Sequence, residues 1–214
     1  MIISHSRNFV FVHIQKTAGT SITRYLDQYL NYQDLVLGCT KFGEQVQPSY
    51  RKKFNLHKHS CAKDIKELTG DNTWDNYFTF SIVRNPWDRV VSLYNWCRKG
   101  QFSFPICQEA IKASSFSQFI RSECFKSELS QIKYITDETG KVIVDFVIRQ
   151  ESIQEDFDYV CQKLQVQPTN MGKLKHNARK REFNSYRDYY KSEDDIKIVT
   201  EQFSEDIKLF DYRF

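Results

Sequence analysis

The sequence predicts an α/β fold, a central, mainly parallel sheet flanked by helices, and three observations carry that expectation. The apolar run Phe9-Val10-Phe11-Val12 leads through His13-Ile14 into a Lys-, Gly-, Thr- and Ser-rich loop, after which Ile22, Tyr25, Leu26, Tyr29 and Leu30 recur at helical spacing. The segment from Tyr77 to Trp96 likewise opens as an apolar strand, ends in a polar turn and passes into a helical pattern. Apolar strands of this kind, each followed by a helix, read as strands of a parallel sheet covered on both faces. The third observation is length: 214 residues with a 40% hydrophobic and 15% aromatic content suit one domain spanning residues 1–214.

The elements follow in chain order. Met1 to Asn8 is too short and too polar for a signal peptide. Lys41 to Lys58 is a polar segment, and Ser60 is the expected N-cap of a helix with Ala62, Ile65 and Leu68 inward. Gln101 to Ser130 is rich in Phe and Ser, with Phe116, Phe119 and Ile120 on one helical face. Tyr134-Ile135-Thr136, the turn residues Asp137 to Gly140, and Val142 to Ile148 predict a hairpin. Ser152 with Glu155 has the spacing of a capping box, opening a helix that buries Ile153, Phe157, Val160, Cys161 and Leu164. A last helix carries Ile196, Val199, Phe203 and Ile207. No internal repeat or low-complexity tract interrupts the chain.

The loop Gln15-Lys16-Thr17-Ala18-Gly19-Thr20-Ser21 has the composition of an anion cradle. A strand, a tight turn and a helix N-terminus aim backbone N–H groups and the positive end of the helix dipole at one point, and Lys16 adds a mobile full charge. A kinase-type P-loop needs Gly-Lys-[Ser/Thr] at its end, whereas here Lys16 precedes the loop's only glycine. That order argues against a magnesium-dependent triphosphatase, and no metal ligands are expected. In the second segment Arg84 is suited to clamp a phosphate, with Ser92 about two turns into the following helix offering a hydroxyl. Arg89 reads as the partner of Asp88 or another nearby carboxylate.

Together, His13 to Ser21 and Phe80-Ser81-Ile82-Val83-Arg84-Asn85-Pro86-Trp87-Asp88-Arg89-Val90-Val91-Ser92-Leu93-Tyr94 resemble the two cofactor signatures of carbohydrate sulfotransferases, of the heparan sulfate 2-O- and chondroitin type, which have a P-loop-like fold. Those enzymes use 3′-phosphoadenosine 5′-phosphosulfate (PAPS). The resemblance implies that Lys16, Thr17, Ala18, Gly19, Thr20 and Ser21 face the 5′-phosphosulfate, and that Arg84 and Ser92 hold the 3′-phosphate. It extends through His176-Asn177, Tyr186, Tyr189-Tyr190 and Phe210 to Phe214. Two departures stand out: Gln15 and Ala18-Gly19 replace the family's Pro and Gly-Gly, and Arg179 stands where the family tends to place a Ser. The basic run Lys173, Lys175, His176, Arg179, Lys180, Arg181 reads either as a solvated loop or, as the resemblance implies, as a cover for the 3′-phosphate, with Arg179 and Lys180 as contacts. Lys16 is the expected stabiliser of the departing phosphate oxygen. A base must take the acceptor's proton, and His59, then His57, are the candidates, since both precede a helix N-terminus that favours neutral imidazole.

The expected function is sulfuryl transfer from PAPS to a hydroxyl of a carbohydrate or related acceptor. The alternatives are a P-loop-like kinase or nucleotide hydrolase, and a catalytically silent nucleotide-binding interaction protein. A net charge of +4 is too modest to imply nucleic acid as a partner, and no apolar run approaches the ~20 residues that span a bilayer. The chain is therefore expected to be cytoplasmic, with its six cysteines reduced and mostly buried.

Overall fold

The computed structural model describes residues 1–100, 102–173 and 182–214. In chain order the elements are strands β1 (Ile2–Ser4) and β2 (Phe9–Val12), helix α1 (Gly19–Asp27), strand β3 (Leu35–Val36), helices α2 (Lys41–Phe54), α3 (Ala62–Thr69) and α4 (Asp71–Asn76), and strand β4 (Phe78–Val83). Helices α5 (Pro86–Lys99), α6 (Pro105–Lys112), α7 (Phe116–Phe119) and α8 (Glu123–Lys126) follow, then strand β5 (Phe146–Arg149) and helices α9 (Ile153–Leu164), α10 (Glu193–Gln202) and α11 (Ser204–Phe210). They gather into two compact units: Met1–Val83 with the segment that starts at Gln131, and Arg84–Ser130 with the C-terminal residues.

The first unit holds the sheet, in the order β3-β1-β2-β4-β5. Strand β4 runs parallel to both β2 and β5, while β1 is antiparallel to its two neighbours. The expected α/β architecture is therefore present as a mixed sheet whose β2-β4-β5 portion is parallel. All four residues of β2 are buried, which is why its sequence runs apolar without alternation. On one face Phe9, Phe11, Phe80, Ile82 and Ile148 meet Ile22 and Leu26 of α1 and Phe157, Val160 and Leu164 of α9. Each such side chain contributes roughly 1.5–3 kcal/mol by leaving water. Because β2 and β4 are parallel neighbours in register from Phe9↔Phe78 to Val12↔Ser81, both end at the same edge of the sheet, where ligands of open α/β sheets bind.

The second unit is helical among its described residues and built around aromatic side chains. Tyr94 packs on Phe116 and Phe119, Phe119 on Phe125, and Phe125 on Phe203. Buried Asp195 at the start of α10 accepts hydrogen bonds from Ser117 Oγ at 2.7 Å and Arg121 Nη1 at 2.6 Å.

Several local expectations are corrected. Ile2–Ser4, within the segment Met1 to Asn8 for which no strand was expected, is a buried strand. The polar segment from Lys41 is mostly helix α2, started by Thr40, whose Oγ1 accepts from Gly43 N, and ended by basic residues that suit a helix C-terminus. Ser60 does not cap α3: its hydroxyl accepts from His57 N, and Cys61 with Asp64 forms the capping box. Nor does Ser152 cap α9, because its hydroxyl donates to Asp156. The hairpin is reduced to a single antiparallel bridge between Thr136 and Val142, since the following residues pair instead with the open edge of β4 as β5.

Candidate active site

The loop leaving β2 turns sharply. Thr17 is buried and its Oγ1 donates to Ile14 O at 2.8 Å, so this hydroxyl closes the turn. Lys16 and Ala18 have φ of 66° and 76°, the left-handed region that glycine enters without steric cost. Ala18 thus adopts a glycine-like conformation. It is the N-cap of α1, yet no side chain caps that helix, and its first turn holds no acidic residue. A helix start of this kind, its positive end at the loop, suits an external anion. Lys16, Thr20 and Ser21 are half-buried around it, and Gly19 is buried.

Beneath this turn lies His13, whose ring explains Gly19. A Cβ on Gly19 would sit 2.2 Å from His13 Cδ2 and 2.5 Å from Nε2, so the helix and the imidazole can meet only at a glycine. His13 stacks on Phe11, and its Nδ1 lies 3.5 Å from Cys39 Sγ, which in turn approaches Thr20 Oγ1 at 3.7 Å. Burial, then the nearby His59, hold the His13 pKa well below the ordinary histidine value.

His59 packs edge-on against His13 with ring centroids 4.7 Å apart. Its Nδ1 bonds to His13 O at 2.8 Å; a carbonyl only accepts, so Nδ1 carries the proton and Nε2 the lone pair. Burial pulls the His59 pKa down to about 3, against the carbonyl bond that raises it. Neutrality was expected from a helix N-terminus, but desolvation is its main cause. His57 is also lowered, by burial first and Arg51 next, and its Nδ1 accepts from His59 N.

In the second unit Asn85 caps α5 through Oδ1, which accepts from Trp87 N at 3.1 Å and Asp88 N at 3.4 Å, with Pro86 at the first helical position. Arg84 is buried, and its Nε and Nη2 donate to Asp88 Oδ2 at 2.9 Å and 2.5 Å. Ser92, one helical turn beyond Asp88, is half-buried on the same face of α5. Arg84 occupies Asp88 Oδ2, and of the two partners expected for Arg89 the other nearby carboxylate is the one seen: the Arg89 charge acts on Glu128, whose pKa burial raises and Arg89 lowers. Arg89 is buried elsewhere: Nη2 donates to Leu129 O at 2.8 Å, and the guanidinium lies 5.1 Å from the Phe203 ring centroid. Arg179 and Lys180 lie outside the described residues.

The profile of the sulfotransferase family matches residues 1–213, which is almost the whole chain. The chain belongs to the sulfotransferase family. A similar relative is an uncharacterised protein of Archaeoglobus fulgidus, 32% identical over 102 residues, a match covering 47% of this chain and 78% of the relative. Among solved structures, mouse sulfotransferase SULT7A1 complexed with PAP has a similar fold, with a TM-score of 0.59 at 13% identity over 96% of this chain and 86% of the mouse chain.

Within this sulfotransferase-family chain the two segments read from sequence are the loop after β2 and the turn from β4 into α5. The Arg84–Asp88 pair was not read from sequence, although its four-residue spacing was a signal. His13 is packed, as a histidine on an apolar strand is expected to be. Among the described residues no group of His, Cys, Asp and Glu is arranged to hold a metal, and no helix is long and apolar enough to cross a membrane.

Proposed function

We propose that this chain transfers a sulfuryl group from PAPS to a hydroxyl of a carbohydrate acceptor. The observation that carries the reading is the uncapped start of α1 beside Lys16 at the end of β2, in a chain of the sulfotransferase family. Its donor set of Lys16, Thr20, Ser21 and backbone N–H groups suits a phosphate-like group and offers no carboxylate to repel one. PAP held by the mouse protein of similar fold, and the likeness of both signature segments to carbohydrate sulfotransferases, support the donor and the acceptor class.

PAPS supplies the sulfuryl group and leaves as the 3′,5′-bisphosphate. Lys16 brings an ammonium whose flexible stem lets it follow charge gathering on the phosphate oxygen. The α1 N-terminus and the Thr20 and Ser21 hydroxyls hold the 5′ end, with Thr17 and Ala18 shaping the turn. Arg84 and Ser92 take the 3′-phosphate, and Asp88 orients the guanidinium. His59 presents Nε2 as proton acceptor for the hydroxyl. With a pKa of about 3 it stays unprotonated at neutral pH, and it draws the proton only as sulfuryl transfer makes that hydroxyl acidic.

Calorimetric binding of the bisphosphate without metal, beside ATP with magnesium, tests the reading. The bisphosphate is expected to bind far more tightly than ATP. Arg84→Ala should weaken it by tenfold or more, the scale of a lost charge-assisted contact of about 1.5–3 kcal/mol, and Lys16→Ala should lower turnover more than affinity. Preference for magnesium ATP, or indifference to Arg84, would overturn it.

A further inference from the structure

Cys97 and Cys107 oppose each other inside the helical unit. Cys97 lies in the last turns of α5 and Cys107 in the first turn of α6, and both side chains are fully buried. Their Sγ atoms are 2.8 Å apart. That is closer than two sulfur atoms rest in van der Waals contact, and less than 1 Å beyond the covalent S–S length of about 2.05 Å. Helix α5 is C-capped by Gly100, where a Cβ would fall 1.8 Å from the Phe102 ring, and Phe102 stacks on Trp96 of α5 at 4.1 Å. The two helices therefore present the thiols to each other.

We propose that Cys97 and Cys107 are a redox modification site, a dithiol that closes to a reversible disulfide joining the C-terminal end of α5 to the N-terminal turn of α6. The oxidant is a small disulfide such as oxidised glutathione. One protein thiolate attacks a glutathione sulfur and expels one glutathione thiolate; the second protein thiolate attacks the mixed disulfide and expels the other. Two electrons pass to glutathione, and the two thiol protons end on the released thiols. The closed form restricts the unfolded chain, so it melts at a higher temperature than the dithiol. The thiols expected from sequence to be six of a kind are thus of two kinds, and this pair is the one built to oxidise.

The test is alkylation with N-ethylmaleimide after denaturation, read by intact mass, on protein equilibrated with reduced or oxidised glutathione. Oxidised wild type is expected to take up two fewer labels than reduced, with peptide mapping joining the Cys97 and Cys107 peptides, and to melt at a higher temperature until reductant is added. Cys97→Ser and Cys107→Ser should each take one label fewer than reduced wild type, show no cross-link, and show no redox-dependent melting. Cys97→Ala and Cys107→Ala serve where serine is not tolerated. Full labelling of wild type throughout the glutathione series, lasting mixed disulfides without a cross-link, or a cross-link between other cysteines would overturn the proposal. None of these readouts depends on the sulfotransfer reading.

Discussion

Buried His13 and half-buried His59 form a pair of imidazoles behind the anion loop, and their titration ties stability to pH. Unfolded, each protonates near 6.5; folded, burial holds His59 near 3 and His13 well below its ordinary value. Between about pH 6.5 and 3 the unfolded chain therefore binds more protons than the folded one, so stability rises with pH across that window and is lost as pH falls through it. Each imidazole that stays neutral contributes up to about 1.4 kcal/mol per pH unit below 6.5. Melting temperature measured from pH 7.5 down to pH 4.5 should fall steeply below pH 6.5, and His59→Gln, which keeps a donor for His13 O, should flatten part of the slope. An unchanged slope would mean that His59 is solvated and titrates normally. The composition of the loop was legible at this scale because Lys16, Gly19, Thr20 and Ser21 are recognised by residue type alone. The proton on His59 Nδ1 was not, because it follows from a carbonyl 46 positions away in the chain.

Helix α1 shows what an element adds to its residues. Its uncapped N-terminus is held in place by the His13 ring, which Phe11 and His59 in turn hem in at centroid distances of 5.7 Å and 4.7 Å. Gly19→Ala forces a methyl group to 2.2 Å from that ring, with little room for retreat. An overpacking cost of about 1–3 kcal/mol is expected, seen as a lower urea midpoint, together with weaker binding of the bisphosphate as the first turn of α1 is pushed from the loop. Unchanged midpoint and affinity would show that the imidazole moves aside without cost. Among the elements, β2, α1, β4 and α9 were legible because long apolar runs or helical spacing mark them. Strand β1 has only three residues, too few for a period to register, and α2 hides behind a polar composition with Pro48 inside it. The Ser152–Glu155 spacing misled because Asp156 is the stronger acceptor there, taking both Ser152 Oγ and Arg149 N.

At the scale of the whole chain, the first unit is assembled from two distant stretches of sequence, so the fold cannot be divided at its midpoint. Strand β5 arrives only after Ser130, and it completes the parallel set by pairing Phe80↔Phe146 through Val83↔Arg149 with β4. The same late stretch brings Ile148, Phe157, Val160 and Leu164 into the core with Phe9, Phe11 and Phe80. Sequence patterning recognised β4 and α9 separately, but no local signal reveals that residues 146–149 are the parallel partner of β4; the hairpin reading paired them with their sequence neighbours instead. Removing everything after Ser130 would expose those sheet and helix contacts together. At roughly 1.5–3 kcal/mol for each of the four buried side chains, the loss is of the order of the entire 5–15 kcal/mol that separates folded from unfolded domains. It would also leave the β4 edge groups without partners. A fragment comprising residues 1–130 is therefore expected to give no cooperative thermal transition and little protection of β2 and β4 amides from hydrogen exchange, although it contains both signature segments whole. A cooperative transition in that fragment would show that β1, β2, β4 and α1 form a self-sufficient core, and that β5 and α9 are additions to it.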